Sequence, residues 1–346
     1  ISPMIWALLI TSLTTSTIIT MSSNHWLLAW LGLELNTMSI MPILMKPHHP
    51  RATEATTKYF LIQATAATLI LCASTINAWQ TGQWSITNTL SPMATTMMTM
   101  AIMLKLGLAP VHLWYPEVLQ GVTMTTALII TTWQKIAPLT LLYLTHNNLS
   151  TNTLMTIGLA SALLGGLTGL NQTQTRKLMA FSSIAHMGWL MVAMTLSPSL
   201  TTLTISIYML MTTTMFTSLV ATSSKTIQDL GTTWSASPTL LTTTMLTLMS
   251  LGGLPPLTGF MPKLLILKEL TTTSLPLYST LLLLSSLPSL FFYIRMAYMS
   301  MLTTPPATTN TEYKWRFKMN IKPGMTTLAT TALTMLPITT TLYNIT

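Results

Sequence analysis

Apolar runs of about 20 residues recur along the whole chain, separated by short polar joints. A helix needs about 20 consecutive apolar residues to cross the hydrocarbon core of a bilayer. The pattern predicts an all-α membrane protein with about eleven transmembrane helices. The predicted spans are Pro3–Met21, His25–Met45, Ala55–Trp79, Pro92–Gln120, Thr123–Leu144, Thr151–Leu170, Leu178–Thr195, Leu200–Ser223, Pro238–Leu270, Leu275–Ser300 and Gly324–Tyr343.

Composition agrees with this class. Of 346 residues, 50% are hydrophobic and 6% are charged, whereas about 25% of the residues of a soluble protein are charged. Threonine is abundant within the apolar runs, where its hydroxyl can bond back to the helix backbone. No stretch is polar enough to form a separate soluble domain.

Basic residues concentrate in the joints after even-numbered spans, and the joints after odd-numbered spans carry essentially none. The positive-inside rule places the basic joints on the cytoplasmic side, or on the matrix side in a mitochondrion. The formal charge of +9 therefore belongs to one membrane face and does not indicate nucleic-acid binding. These basic residues are Lys46, Arg51, Arg176, Lys177, Lys225, Lys314, Arg316, Lys318 and Lys322.

The longest joint runs from Thr303 to Pro323 and contains Lys-Trp-Arg-Phe-Lys at positions 314–318. Two interpretations stay open for it. One is a solvated basic loop, and the other is a contact with anionic phospholipid such as cardiolipin.

Glycine and proline interrupt two of the predicted spans. Gly107 and Pro110 break the fourth span, and Pro255 and Pro256 break the ninth. The two are five spans apart, so equivalent segments cross the membrane in opposite directions, as in transporters built from inverted repeats. The alternative is coincidence between Gly/Pro-rich helices. We predict a single polytopic membrane domain with inverted five-helix repeats over 1–150 and 151–300, then a matrix-side loop and a final helix over 301–346.

Four charged residues are predicted to lie deep in the membrane: Glu34, Lys105, Lys135 and Lys263. A charge at the bilayer centre costs roughly 2.5–3.5 kcal/mol on insertion scales and usually serves ion or proton movement. Glu34 and Lys105 are the opposite charges within one half, so we predict that they form a pair. A lysine that gains or loses a carboxylate neighbour can exchange its proton, whereas arginine would stay protonated.

Two histidines are candidates for proton relay near neutral pH. His112 follows the break in the fourth span, and His186 lies in the seventh. The alternative for each is a buried histidine that only satisfies a hydrogen bond.

Other charged residues lie near span ends. Glu54 and Lys58 have the spacing of a pair on one helix face. Glu117 is predicted either to stabilise a helix start or to join the proton path. Arg295 is predicted to be exposed at a membrane edge.

Cys72 is the single cysteine. One cysteine excludes an internal disulfide, a cysteine-based zinc site and a cysteine-held iron–sulfur cluster. Redox chemistry associated with this chain would therefore take place on other chains.

Five motifs, in order along nearly the whole chain, carry a family resemblance. They are Asn24–Trp30 leading to Glu34, Lys105–Trp114 with Pro116–Val118, Asn171–Lys177, Ser182–Trp189 and Gly252–Lys263. Together they closely resemble the mitochondrially encoded chain 2 family of NADH:ubiquinone oxidoreductase, respiratory complex I. The resemblance implies an antiporter-like, proton-pumping subunit of the mitochondrial inner membrane, similar to cation/proton antiporter subunits.

The resemblance also implies roles and partners. Glu34 and Lys105 match the family's ion pair, Lys135 its connecting lysine and Lys263 its exit-side lysine. NADH, FMN, the iron–sulfur clusters and ubiquinone are expected on other subunits, so this chain is expected to bind no cofactor or metal. Its expected partners are other membrane-arm subunits, including adjacent antiporter-like subunits.

Two functions are alternatives to a pump subunit with a hydrated line joining Lys105, Lys135 and Lys263. A structural scaffold would carry the same charges without moving protons. A stand-alone cation/proton antiporter would need several cation-binding carboxylates, and Glu34 is the single one deep in the predicted membrane region.

Overall fold

A computed structural model describes residues 2–88, 91–301 and 323–345, and within these ranges the chain forms helices and no named β-strand. The chain divides into two compact units, Ile1–Ile157 and Gly158–Thr346. Seven described helices are long and apolar enough to cross a membrane, which confirms the all-α membrane class. These are Pro3–Ser22, Trp26–Met45, Pro50–Thr81, Met124–Asn148, Thr175–Leu196, Pro198–Thr222 and Pro276–Met301.

In the first unit, consecutive helices pack against one another. Helix α1 packs on α2, α2 on α3 and α3 on α4, while α5 lies against α3 and α7 contacts α1, α2 and α4. The helices are α1 (Pro3–Ser22), α2 (Trp26–Met45), α3 (Pro50–Thr81), α4 (Pro92–Leu106), α5 (Trp114–Gly121), α6 (Met124–Thr131) and α7 (Trp133–Thr145), followed by a 3-10 turn (His146–Asn148).

Proline and polar residues start these helices. Pro3, Pro50 and Pro92 occupy first turns, where the missing N–H removes no intrahelical hydrogen bond. The His49 side chain accepts a hydrogen bond from the backbone N–H of Arg51 at 3.2 Å. Free N–H groups at a helix start are thereby reduced or satisfied.

Threonine hydroxyls bond back into their own helices. Thr17 donates to the carbonyl of Thr14 at 2.7 Å, and Thr214 donates to the carbonyl of Met211 at 2.7 Å. Because each hydroxyl is satisfied within its helix, it needs no water at membrane depth. Threonine is therefore compatible with these spans, as the sequence pattern predicted.

The predicted break in the fourth span is present. Helix α4 ends at Leu106, and α5 begins at Trp114. Gly107 between them has φ 70° and ψ 42°, a left-handed conformation that side chains with a Cβ rarely adopt. A Cβ at Gly107 would also lie 3.2 Å from the Cβ of Tyr115. Glycine therefore both ends α4 and lets the following segment approach.

The fifth predicted span corresponds to the apolar segment Met124–Asn148, with a local interruption that was not predicted. It is divided into α6 and α7 at Thr132, whose φ and ψ are −110° and −77°. The Thr132 hydroxyl donates to the Leu128 carbonyl at 2.6 Å. Pro138 inside α7 removes the N–H that would otherwise bond to the carbonyl of Gln134.

In the second unit, α10 is the most widely contacted helix and packs against α9, α12, α13, α15 and α16. The ninth predicted span is broken, since α12 ends at Gly252 and α13 begins at Phe260 with Pro255 and Pro256 in the linker. The helices are α8 (Thr151–Gly169, beginning in the first unit), α9 (Thr175–Leu196), α10 (Pro198–Thr222), α11 (Ile227–Ala236), α12 (Pro238–Gly252), α13 (Phe260–Thr272), α14 (Pro276–Met301), α15 (Pro323–Thr334) and α16 (Leu336–Ile345).

Helix α11 was not predicted from the sequence. Its start is a capping box, in which the Asp229 backbone N–H donates to the Thr226 hydroxyl and the Asp229 carboxylate accepts from the Thr226 N–H at 2.8 Å. Burial opposes ionisation of Asp229, but hydrogen bonds from the backbone N–H groups of Thr226 and Lys225 hold its pKa below the usual range. The carboxylate therefore stabilises the start of α11.

The last predicted span, Gly324–Tyr343, is also divided, with Met335 between α15 and α16. Pro337 in the first turn of α16 accounts for the interruption, because proline cannot continue a helix from the preceding turn. The predicted anchoring loop at 303–322 lies outside the described residues. The count of eleven spans and the inverted repeats remain predictions.

Candidate functional site

Two buried lysines of the first unit line one cavity of about 370 Å³. Lys105 lies in the last turn of α4, just before the break at Gly107. Lys135 lies in the first turn of α7, just after the interruption at Thr132. Each interrupted span thus brings one lysine to the cavity, where irregular backbone and charge are both shielded from lipid.

The side chain of Lys105 is 7% exposed, and its Nζ makes no hydrogen bond within the described part of the chain. Removing a charge from water costs several kcal/mol unless it is paired. The protonated amine of Lys105 would therefore be strongly stabilised by an approaching negative charge or water molecule.

The predicted direct ion pair between Glu34 and Lys105 is not formed. Thr37 donates from its hydroxyl to the Glu34 carboxylate at 3.1 Å and to the Glu34 carbonyl at 2.8 Å. This contact holds the half-buried carboxylate against its own helix, α2. The charge of Glu34 still acts on Lys105 through space. Glu34 and Lys105 are thus electrostatic neighbours without contact.

The Lys135 side chain is 4% exposed, and its Nζ lies 5.2 Å from the centre of the Tyr115 ring. An ammonium over an aromatic face is attracted by the ring quadrupole. Tyr115 also packs against Gly107, so the break in α4 and the position of Lys135 share one aromatic residue.

A neutral polar network beside the lysines was missed by the sequence analysis. Gln134 donates from its amide to the Asn36 side-chain oxygen at 3.1 Å, and the Tyr59 hydroxyl donates to the Gln134 side-chain oxygen at 3.5 Å. All three line the cavity together with Lys105. The available signal was the position of Asn36 and Gln134, uncharged amides beside charged residues within apolar spans.

His112 is buried, with 5% exposure, in the linker between α4 and α5. Pro110 of the same linker follows a cis peptide bond. His112 is absent from the residues that line the lysine cavity. The structure therefore places His112 at the break but not among the cavity groups.

A second cavity, of about 460 Å³, lies within the second unit and is lined by Lys263 and His186. Lys263 is in the first turn of α13, and its Nζ donates to the carbonyl of Gly252 at 2.9 Å. Gly252 is the last residue of α12, so its carbonyl lies at the break. Nζ also lies 5.7 Å from the ring centre of Trp189. The interrupted helix thus supplies the acceptor that holds the lysine.

Three aromatic residues surround the second lysine site. The Tyr293 hydroxyl lies 3.3 Å from Nε2 of His186, and the rings of His186 and Tyr208 are 5.7 Å apart. The sequence analysis identified His186 and Lys263 but neither tyrosine. Because tyrosine is uncharged and largely apolar, its presence in an apolar span does not indicate a functional site.

Two expectations about other charged residues were wrong. Lys58 does not pair with Glu54; its Nζ reaches Glu117 at 2.6 Å, which ties α3 to α5. Arg295 is not exposed at a membrane edge but is part-buried, and its guanidinium donates to the Leu170 carbonyl at 2.8 Å. Both partners are distant in sequence, so neighbour spacing could not predict them.

In the ranges that the structure describes, no group of three or more His, Cys, Asp or Glu side chains could hold a metal ion, and Cys72 forms no disulfide. The polar groups that line the two cavities include amines, an imidazole, amides and phenols. The amines and the imidazole can hold and release protons, and the amides and phenols can form hydrogen bonds with them or with water.

Comparison with protein families gives two matches. Residues 23–291 match the family described as NADH:quinone oxidoreductase/Mrp antiporter, TM, and residues 290–343 match NADH dehydrogenase subunit 2 C-terminus. A Carassius auratus protein named NADH-ubiquinone oxidoreductase chain 2 is 53% identical over 315 residues, which are 91% of this chain and 90% of that protein. The Xenopus laevis protein of the same name is 51% identical over 91% of both chains.

Solved structures share the fold at low sequence identity. A chain of respiratory complex I from Thermus thermophilus has a TM-score of 0.82 at 23% identity, covering 98% of this chain and 77% of that one. A chain of the Mrp complex from Dietzia sp. DQ12-45-1b has a TM-score of 0.79 at 14% identity, covering 97% and 74%. These likenesses assign an antiporter-like fold.

Proposed function

Because this chain belongs to the family of NADH-ubiquinone oxidoreductase chain 2, we propose that it is a proton-translocating, antiporter-like core subunit of respiratory complex I. The observation that carries the proposal is the buried amine of Lys105, which has no hydrogen-bond partner in the part of the chain that the structure describes and lines the cavity that also holds Lys135. A passive scaffold would have no use for such a costly group.

In the first unit, Glu34 and Lys105 act as the switch. When the Glu34 carboxylate approaches Lys105, the two charges stabilise each other and the lysine proton is held. When the carboxylate is drawn back, as by its hydrogen bond to Thr37, the proton can pass on to Lys135. The amides of Asn36 and Gln134 and the Tyr59 hydroxyl would orient water in the cavity.

In the second unit, Lys263 acts as the exit-side lysine, and His186 and, in the first unit, His112 act as relays. The breaks at Gly107 and Pro110 and at Pro255 and Pro256 supply the irregular backbone that such sites need at membrane depth. The Gly252 carbonyl is a neutral acceptor for Lys263, so the proton can be held there without a paired acid.

Electron transfer would drive these steps from elsewhere. NADH, FMN, the iron–sulfur clusters and ubiquinone are proposed to bind other subunits, and this chain to contact neighbouring membrane-arm subunits and phospholipid, including cardiolipin. The proposed location is the mitochondrial inner membrane, with the basic joints in the matrix.

Replacing Lys105 with methionine tests the proposal. Lys105→Met keeps a long, unbranched side chain but removes the amine that carries the proton. We expect the proton-pumping rate of the assembled complex to fall by about tenfold or more, because positioned proton-transfer groups contribute about 10²–10⁴-fold. The measurement is NADH-driven proton uptake by vesicles containing the complex, normalised to assembled complex on native gels.

Lys268→Met is the matched control, because Lys268 is an exposed lysine on α13. It should pump as the unmodified complex does. Undiminished pumping by Lys105→Met, at equal assembly, would favour the scaffold function instead.

A further inference from the structure

A buried tyrosine in α14, Tyr293, contacts one proton-handling group of the second unit, His186, and lies beside the residue that holds the other, Lys263. Its side chain is 1% exposed, and its hydroxyl is the hydrogen-bonding neighbour of His186 Nε2 at 3.3 Å. Its ring packs beside Gly252, where a Cβ would lie 3.8 Å from Tyr293 Cδ2. Gly252 is the residue whose carbonyl accepts the hydrogen bond from Lys263.

The Tyr293 hydroxyl influences which ring nitrogen of His186 carries the proton. A neutral imidazole has one donor and one acceptor nitrogen, and the partner of each nitrogen selects the tautomer. A phenol that donates to Nε2 leaves the ring proton on Nδ1 and fixes the ring orientation. Without that hydroxyl, His186 would keep its ring contact with Tyr208 but lose the neighbour at Nε2 that favours one tautomer.

The ring of Tyr293 lies beside Gly252, the residue that accepts the hydrogen bond from Lys263. The carbonyl of Gly252 is free to accept from Lys263 because α12 ends there. Tyr293 and its neighbour Phe292, with ring centres 4.4 Å apart, are both fully buried and pack as one aromatic pair in α14. A shift of α14 would therefore displace the acceptor of Lys263 and the partner of His186 together.

We propose that Tyr293 is a positioning residue of the second-unit proton site, which sets the orientation of His186 through its hydroxyl and supports the Gly252 carbonyl through its ring. This inference rests on the proposed function. Tyr293 acts through His186 and Lys263, and the titratable side chains facing His186 are Tyr208 from α10, Lys263 from α13 and Tyr293 from α14.

Tyr293→Phe is the decisive variant, because it removes the hydroxyl and keeps the ring against Gly252. We expect NADH-driven proton pumping by the assembled complex to fall about fivefold, the loss of a hydrogen bond worth up to about tenfold. The pH–rate profile of pumping should also change. Tyr298→Phe, at a residue that is 52% exposed on the same helix, should alter neither quantity.

A double-mutant cycle separates positioning from general stability. In a His186→Gln background, Tyr293→Phe should cause no further loss, because the hydroxyl has lost the imidazole through which it acts. An equal fivefold loss in both backgrounds would overturn the inference, as would normal pumping by Tyr293→Phe. If the phenylalanine complex does not accumulate, Tyr293→Leu is measured per assembled complex, and it must cause a smaller fold-loss in the His186→Gln background than in the unmodified one.

Lys263→Met distinguishes the two levels of proposal. If Lys263→Met stops pumping while Tyr293→Phe pumps normally, the positioning role of Tyr293 fails and the proposed function stands. If Lys263→Met itself pumps normally, the proton path in the second unit fails, and the role of Tyr293 fails with it.

Discussion

At the scale of single residues, the energetics of this chain depend on how each buried polar group is satisfied. Lys263 has a backbone carbonyl and Lys135 an aromatic face, whereas Lys105 has, among the described residues, no hydrogen-bond partner and only the distant charge of Glu34. A direct ion pair would make Lys105 stable but fixed. A separation that can change makes it responsive, which is what proton transfer requires.

Gly107 offers a prediction at this scale. Gly107→Ala places a Cβ in a left-handed conformation, which costs about 1 kcal/mol, and presses it against Tyr115. We expect a loss of thermal stability and of pumping, because Tyr115 also contacts Lys135. Thermal unfolding and proton uptake of the assembled complex measure the two effects.

Gly82→Ala is the control for strain alone. Gly82 has the same φ of 70°, but a Cβ there would meet nothing within 4 Å. Its unfolding temperature should fall less than that of Gly107→Ala, and its pumping should stay normal. Equal effects of the two substitutions would contradict a specific role for the Gly107–Tyr115 contact.

The sequence predicted the candidate residues that are costly in lipid and missed those that are not. Lys105, Lys135 and Lys263 were identifiable because a charged residue in an apolar run is costly to insert into the membrane and usually has a function. Tyr59, Gln134 and Tyr293 carry no such penalty, and their partners come from other helices. The hydrogen bond that Thr37 donates to the Glu34 carboxylate was also not predicted. It competes with the expected pair of Glu34 and Lys105.

At the scale of helices, interruptions decide where charge is placed. Breaks with adjacent glycine and proline were predictable, as at Gly107 and Pro110. The interruption at Thr132 was not, because its proline, Pro138, lies six residues away inside α7. Short α11 escaped prediction because 10 residues are too few for a span, although Thr226 and Asp229 have cap spacing.

The cap of α11 gives a prediction about pH. Asp229→Ala removes the carboxylate half of the capping box, while the Thr226 hydroxyl can still accept from the backbone N–H of residue 229, and it should lower the free energy of unfolding by about 1 kcal/mol. The pKa of Asp229 is lowered in the folded chain, so its contribution is complete above the unfolded value of about 3.9 and is lost as pH falls through the folded value.

The destabilisation by Asp229→Ala should therefore be the same at pH 6 and pH 8. Thermal unfolding of the assembled complex at both pH values is the measurement. Gln228→Ala, at the exposed neighbour on the same helix, should have little effect. A cost that grows between pH 6 and pH 8 would show that another group is responsible.

At the scale of the whole molecule, alternation of charge predicts which joints share a membrane face. The sequence pattern predicted the class, the seven membrane helices that the structure describes and both main breaks. It could not predict how helices pair, because the outer and inner faces of a membrane helix are both apolar. The charge of the joints does not depend on how the helices pack, so it predicts the membrane orientation separately.

Cysteine labelling tests that topology. In a Cys72→Ala background, Thr173→Cys lies in a basic joint and Thr272→Cys in a joint after an odd-numbered span, and both positions are exposed. An impermeant maleimide should label Thr173→Cys from the matrix face and Thr272→Cys from the opposite face of inner-membrane vesicles. Labelling of both from one face would refute the assigned orientation.

The hydroxyls that return to their own backbones have a consequence for the surrounding lipid. A threonine such as Thr65, exposed on α3 with its hydroxyl donating to the Ile62 carbonyl at 2.8 Å, presents its methyl group to acyl chains much as valine would. The chain can therefore carry many oxygen atoms through the bilayer while keeping an oily exterior. Exchange between threonine and aliphatic residues on that exterior would change the composition while leaving the lipid contact nearly the same.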